Sequence, residues 1–277
     1  MQLVHPPSTV VAATISTLLA GSVLAAAPTS QDAALADETL TVLGQTYRNT
    51  ATKTRLDPIE TPQAISVVES ETLEQRGVSS VSEALRYVPG VNTELRGGAV
   101  NRLDLFNIRG FDNYQNFYDG LLLQYNEWNL QPQIDPVAIE QLEVFKGPTS
   151  VLYGSMPPGG MVNLIAKRPQ RESRHSVSVA TGTGTLKEMT LDSTGAINDR
   201  LAYRVVGLAR QKEGQAVTSE EERYVFAPSL DWQLSERTLL NLNLYYQKDP
   251  EAGIYTTVPA SGSVKSNPLG QLGSDSF

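Results

Sequence analysis

Few residues in this chain could make or break bonds. It has no cysteine, which excludes thiol nucleophiles, disulfides and cysteine-bearing zinc sites. Its two histidines are His5 and His175. His5 falls in an apolar leader, so a Ser-His-Asp triad would need His175, which opens a predicted strand among arginines and reads as a surface residue. Gly147 and Gly154 could line a phosphate loop, but neither is followed by the lysine such a loop needs. Nor does Gly159-Gly160 open a helix. A net charge of -8 leaves no basic surplus to displace counterions from a nucleic acid. The composition therefore points away from enzymes and nucleic-acid binders.

The densest local signals lie between Ile134 and Pro169. Asp135-Pro136 suits a helix entrance, with a carboxylate to cap free amides and a proline that fits the first turn. Gln141 to Lys146 then alternates, Leu142 and Val144 opposite Glu143 and Phe145, which predicts a half-buried strand. Gly147-Pro148 ends it. Thr149 to Tyr153 predicts one helical turn, and Gly154 a left-handed exit. Pro157-Pro158-Gly159-Gly160 predicts a rigid turn feeding the apolar strand Met161 to Ala166. Upstream, a strand is expected at Ala64 to Val68 and a short helix capped by Ser70 and stopped at Gly77. Ser80 with Glu83 forms a capping box, and Val81, Ala84, Leu85 and Val88 line one helical face.

After Pro169 helical periodicity gives way to alternating segments. Strands are predicted at His175–Gly182, Lys187–Gly195, Arg200–Lys212, Arg223–Leu234 and Arg237–Lys248, lengths that suit tilted membrane-barrel strands. Ile197-Asn198-Asp199 and Ser235-Glu236 are tight connections, whereas Glu213 to Glu222 and the segment from Asp249 onward are long.

These blocks, in this order, resemble the plug domain of TonB-dependent outer-membrane siderophore receptors. The resemblance rests on Ile139-Glu140 through Gly147-Pro148, Ser150-Val151-Leu152-Tyr153-Gly154, Gly159-Gly160-Met161-Val162-Asn163 and Lys167-Arg168-Pro169. It implies an α+β plug domain followed by the first antiparallel strands of a transmembrane β-barrel. Five strands fall short of the family's barrel, so the chain is expected to be the N-terminal portion of a longer receptor.

The expected organisation is a signal peptide at 1–25, a flexible segment at 26–49, a plug at 50–169 and barrel strands at 170–277. Val10 to Leu24 is too short and too interrupted for a stable membrane span, and Val23-Leu24-Ala25 offers the small side chains a signal peptidase reads. Gln31 to Asp37 is small, polar and acidic, a composition that favours disorder. Glu38-Thr39-Leu40-Thr41-Val42 interrupts it with a β-prone stretch that could add as a strand to a partner's sheet edge. By composition and position it is similar to the family's TonB box.

The resemblance implies import of a ferric siderophore, with ferric iron carried inside the ligand and no cofactor or directly bound metal. The implied partners are TonB with the inner-membrane energising complex, the siderophore and outer-membrane lipid, at the outer membrane of a Gram-negative bacterium. Hydroxamates of the ferrichrome and ferrioxamine type fit best. Arg109, in Asn107-Ile108-Arg109-Gly110-Phe111, falls on a strand carrying the family's apical arginine. Gln124 falls on a polar plug contact and Tyr255 on an aromatic outer-loop contact. Val137 and Thr257 stand where the ferrichrome type has tyrosine and tryptophan, and Tyr125 and Trp128 are extra aromatics that could compensate. Glu140, Glu143, Lys146, Lys167 and Arg168 are expected as ion pairs between plug and barrel. Still open are another cargo on the same architecture, such as cobalamin or a saccharide, and a non-energised porin or binding module.

Overall fold

The computed structural model describes residues 63–93, 95, 104–113, 115–123, 132–214, 219–252, 260–268 and 270. The α+β part runs β1 (Ala64–Glu69), α1 (Ser70–Arg76), α2 (Val81–Leu85), β2 (Val91–Asn92), β3 (Phe106–Ile108), β4 (Phe111–Asn113), β5 (Asn116–Tyr118) and β6 (Leu121–Leu122). A 3-10 turn (Pro136–Ala138), β7 (Ile139–Lys146), α3 (Ser150–Tyr153) and β8 (Gly160–Ala166) complete it. Longer strands follow: β9 (Arg174–Thr181), β10 (Lys187–Asn198), β11 (Leu201–Glu213), β12 (Glu220–Ser235), β13 (Thr238–Asn243) and β14 (Tyr246–Glu251).

The α+β part is organised by a sheet of order β1-β7-β8-β5-β6, with β2, β3 and β4 forming a separate small sheet. β7 was expected to have one wet face, and the structure covers both. Leu142 and Val144 join the main core with Val81, Leu85, Phe106 and Ile108, while Phe145 packs on the other face with Phe117 and Met161. Glu143 is consequently interior, at 1% exposure, accepting from Asn163 Nδ2 and Gln141 Nε2 at 2.9 Å each. A glutamate in alternation looks like a wet position in any sequence. Only its partners make it a buried one.

The helix ends follow local chemistry with small departures from expectation. Glu69, not Ser70, occupies the N-cap of α1, because the strand runs directly into the helix, and Gly77 closes it at φ 59°. Ser80 caps α2 by accepting from the Glu83 amide at 3.1 Å, but the Glu83 carboxylate returns to Ser79 N and Oγ, at 2.7 and 3.0 Å. Gly154 has a positive φ of 79°, but its ψ of -146° takes it out of the left-handed helical well expected at this exit.

The second sheet is a meander of order β13-β12-β11-β10-β9, with β14 also on β12. The predicted strand Arg237–Lys248 breaks in two: β13 pairs with Ser229–Ser235 and β14 with the Glu222–Phe226 end of the same partner. Pro228 lies at the break and has no amide to donate, although its carbonyl still accepts from Leu244 N at 3.0 Å. The faces of this sheet have opposite character. Cross-strand pairs Val177 with Leu191, Val179 with Met189 and Leu240 with Trp232 stand exposed on one side. The alternating Arg204, Val206, Leu208, Arg210, Val225 and Ala227 are buried against the α+β part. An apolar outer face over a mixed inner face is the pattern of a sheet meeting lipid.

Candidate functional site

The inner face of the second sheet is joined to the α+β part by two clusters of charge. The first forms because β11 and β12 set Arg210 directly opposite Arg223. Like charges in cross-strand register repel unless an anion lies between them. Asp135 supplies it, its Oδ2 accepting from Arg210 Nη1 at 2.7 Å and from Arg223 Nη1 at 3.2 Å. Its Oδ1 accepts from Val137 N at 3.1 Å, so one carboxylate both starts the 3-10 turn and pins it to the sheet. Arg210 also donates to Glu188, and Arg223 donates to Asp249 at 2.9 Å and to Gln133 Oε1 at 3.2 Å. The Tyr245 hydroxyl accepts from Asp135 N at 2.8 Å and donates to Gln247. Beside this cluster is a cavity of about 390 Å³ between Pro132, Gln133 and Ile134 on one side and Tyr245, Gln247, Asp249 and Ala252 on the other.

Asp104 extends this network inward. It is 3% exposed and accepts from Gln133 Nε2 at 3.3 Å. Burial pushes its carboxyl up to about 6, partly offset by the Arg223 charge and the Gln133 hydrogen bond.

The second cluster centres on Arg204. Its guanidinium donates to both oxygens of Asp192 at 2.9 and 2.8 Å, to Glu140 at 3.0 Å and to the Arg168 carbonyl at 3.1 Å. Lys167 bridges Asp192 at 2.9 Å and Glu74 on α1 at 3.3 Å. A guanidinium can satisfy several acceptors at once, which suits it to such a junction.

Arg109 lies elsewhere, and not on a strand as expected. With Gly110 it forms the two-residue turn between β3 and β4, at φ 52° and 85°. Two positive φ values define a tight hairpin turn that normally favours asparagine or glycine, so arginine here is held under strain. The turn packs on the glycine loop, where a Cβ on Gly159 would meet the Ile108 carbonyl at 2.1 Å. The Arg109 side chain is exposed, with one guanidinium nitrogen 3.4 Å from where a Cβ on Gly147 would sit.

Of the residues expected as ion pairs between the two parts, Glu140 and Lys167 are. Arg168 instead faces Asp119 at 3.8 Å, Lys146 donates to Ser66 Oγ at 2.8 Å, and Glu143 accepts from Asn163 Nδ2 at 2.9 Å. Gln124, Tyr125, Trp128 and Tyr255, together with Glu38, Thr39, Leu40, Thr41 and Val42, lie outside the described residues. Sequence reasoning missed Asp135, Arg210 and Arg223 as a unit. The available signal was arginine recurring at Arg204 and Arg210, in step with Val206 and Leu208 on one face of β11.

Residues 57–161 match the TonB-dependent Receptor Plug Domain family. The chain is 37% identical over 252 residues to the ferrichrome outer membrane transporter/phage receptor of Escherichia coli, covering 89% of this chain and 33% of that protein. It is 40% identical over 219 residues to the ferrioxamine receptor of Yersinia enterocolitica, covering 77% of this chain and 31% of that one. Among solved structures it superposes on the pyoverdine outer membrane receptor FpvA of Pseudomonas aeruginosa with a TM-score of 0.67 and 27% identity, over 72% of this chain and 29% of that chain. The siderophore receptor PiuA of Acinetobacter baumannii matches with a TM-score of 0.60 and 31% identity, over 68% and 27%. The chain belongs to the TonB-dependent outer-membrane receptors, a family of receptors and transporters rather than enzymes. Its α+β part is the plug, and its second sheet belongs to the barrel wall. The chain spans about a third of the length of the curated relatives it matches.

Proposed function

We propose that the intact receptor imports a ferric siderophore of the hydroxamate type through the outer membrane, energised by TonB. The carrying observation is the likeness to ferrichrome and ferrioxamine receptors, which runs through the plug and into the wall strands. In this reading residues 1–25 are a signal peptide, 26–49 a mobile tail bearing the TonB box at Glu38 to Val42, and 50–169 the plug. Ligand sits above the plug on Arg109, Gln124, Tyr125 and Trp128, with Tyr255 reaching in from an outer loop. Iron arrives coordinated by the siderophore and is never ligated by the protein.

Transport then means loosening a plug that is pinned at defined points. The Asp135 and Arg204 clusters oppose wholesale release of the plug, because separating either leaves charges without partners in a confined space. Pull applied through the box is therefore taken up by segments outside these clusters.

Equilibrium titration of the intact receptor with a ferric trihydroxamate tests the ligand assignment. Saturable binding is expected, with at least tenfold weakening in Arg109→Ala. Tighter binding of cobalamin or an oligosaccharide than of any ferric hydroxamate would contradict it.

A further inference from the structure

We infer that His175, Ser193 and Tyr203 form a phospholipid headgroup site on the outward face of the wall, and that the group bound there is the phosphodiester of a lipid in the periplasmic leaflet. This holds whatever cargo the receptor carries.

The three side chains come together through strand register. His175 of β9 stands directly across from Ser193 of β10, and its Nδ1 lies 2.9 Å from Ser193 Oγ. Tyr203 of β11 reaches the same oxygen on a diagonal, its hydroxyl 3.3 Å away. The neighbouring residue shows which face this is. Asp192 turns to Arg204 and to Lys167 of the plug, so Ser193 points outward. The next pairs along that face, Val177 with Leu191 and Val179 with Met189, are apolar and exposed. The lipid-facing band therefore gives way to a polar trio at the level of His175.

A neutral imidazole, a serine and a tyrosine carry three polar hydrogens between them, and two are enough to hold the trio together. Whichever tautomer is present, one hydrogen is left for an acceptor outside the trio. A protonated imidazole leaves two, with a charge. At the margin of the hydrocarbon such a donor is costly unless an acceptor meets it. A phosphodiester is the strongest acceptor at that depth, because its oxygens carry the negative charge.

The charge at this end of the wall suits an anion. The connection from β8 to β9 and the turn between β10 and β11 meet here, bringing Arg171, Arg174 and Arg200 against Glu172 and Asp199. Arg171 is held at the rim by donating to the Asp199 carbonyl at 2.7 Å. The turn from Asn198 to Leu201 is tight, and short turns mark the periplasmic end of such barrels.

The test uses the intact receptor in detergent and reads the dissociation constant of the first bound lipid by native mass spectrometry. Two probes are compared, a phosphatidylglycerol and a diacylglycerol with the same chains. The phosphatidylglycerol is expected to bind about tenfold more tightly, the worth of one hydrogen bond to a charged acceptor. Combining His175→Phe, Ser193→Ala and Tyr203→Phe should lower that ratio by about fivefold or more. His175→Glu, which sets a like charge at the site, should lower it as far, and His175→Arg should preserve it. Ser178→Ala, on the opposite face of β9, should leave it unchanged. Three results overturn the inference: equal binding of the two probes by the unaltered receptor, a ratio that survives in whichever disabling variant is recovered folded, or an equal fall in Ser178→Ala.

Discussion

The carboxylate of Asp135, on the plug, lies 2.7 Å from the guanidinium of Arg210, on the wall, and neither is open to water: their side chains are 0% and 8% exposed. Asp135 is in the chain segment that starts the 3-10 turn and leads into β7, and Arg210 is on β11, 75 residues later. Because Arg223 stands opposite Arg210 and shares the same carboxylate oxygen, Asp135 neutralises a repulsion that the wall would otherwise contain. The contact thus stabilises the wall register as well as plug docking.

Asp135→Ala should accordingly be more damaging than loss of a surface ion pair, because it leaves two guanidiniums facing each other without their shared anion. Removing one partner of a buried pair costs about 3–5 kcal/mol. Calorimetry on the intact receptor should show a lowered unfolding midpoint. The same substitution in an Arg210→Met background should cost at least about 1 kcal/mol less than in the parent, because the two sites are coupled. A midpoint within error of the parent would contradict the assignment.

Asp104 gives a pH dependence whose sign can be worked out. Its folded-state value of about 6 stands above the ordinary aspartate value of 3.8, so the folded protein binds this proton more tightly than the unfolded chain. Stability from this group therefore rises as pH falls from about 7 through 6 and levels off below 4. The raised value corresponds to about 3 kcal/mol at most, at about 1.4 kcal/mol per unit. Asp104→Asn should be more stable than the parent at pH 7.5, with the difference shrinking toward pH 4. A difference that stays flat with pH, or grows on acidification, would contradict this.

Two glycines of the plug should respond very differently to alanine. At Gly160, φ is 135° and a Cβ would lie 1.8 Å from the Phe145 carbonyl oxygen, so β8 could not keep its place beside β7. At Gly154, φ is 79° with open space around it. Gly154→Ala should cost about 1–2 kcal/mol from backbone strain alone, whereas Gly160→Ala should abolish recovery of folded receptor from the outer membrane. Comparable yields of the two variants would show the β7–β8 packing to be wrong.

The apolar outer face predicts a lipid contact. Leu242 stands exposed on β13 beside Leu230 of β12. Leu242→Arg should cost about 2–4 kcal/mol if the position lies near the bilayer midplane. Denaturant titration in vesicles measures this. An unchanged midpoint would place Leu242 away from lipid.

The strands and their connections were legible because period-2 patterning and turn residues act locally: predicted and observed limits of β9, β10, β11 and β12 overlap throughout. The plug strands β7 and β8 were legible for the same reason, though not that both faces of β7 are covered. Asp119-Gly120, with φ 48° and 79°, forms the hairpin turn between β5 and β6 and was missed, although Asp-Gly is the usual residue pair for it. The break at Tyr245 was not readable, since it depends on Pro228 in the neighbouring strand and on the hydroxyl's bond to Asp135. Nor was the bridge from Asp135 to Arg210 and Arg223. Pairing across 75 and 88 residues follows from strand register and plug docking, which no local pattern encodes.

Energised import is tested most directly by deleting Glu38 to Val42 and following uptake of a radio-iron trihydroxamate in cells that depend on this receptor. The account predicts normal surface binding with uptake reduced to background. Uptake at the undeleted rate would contradict it.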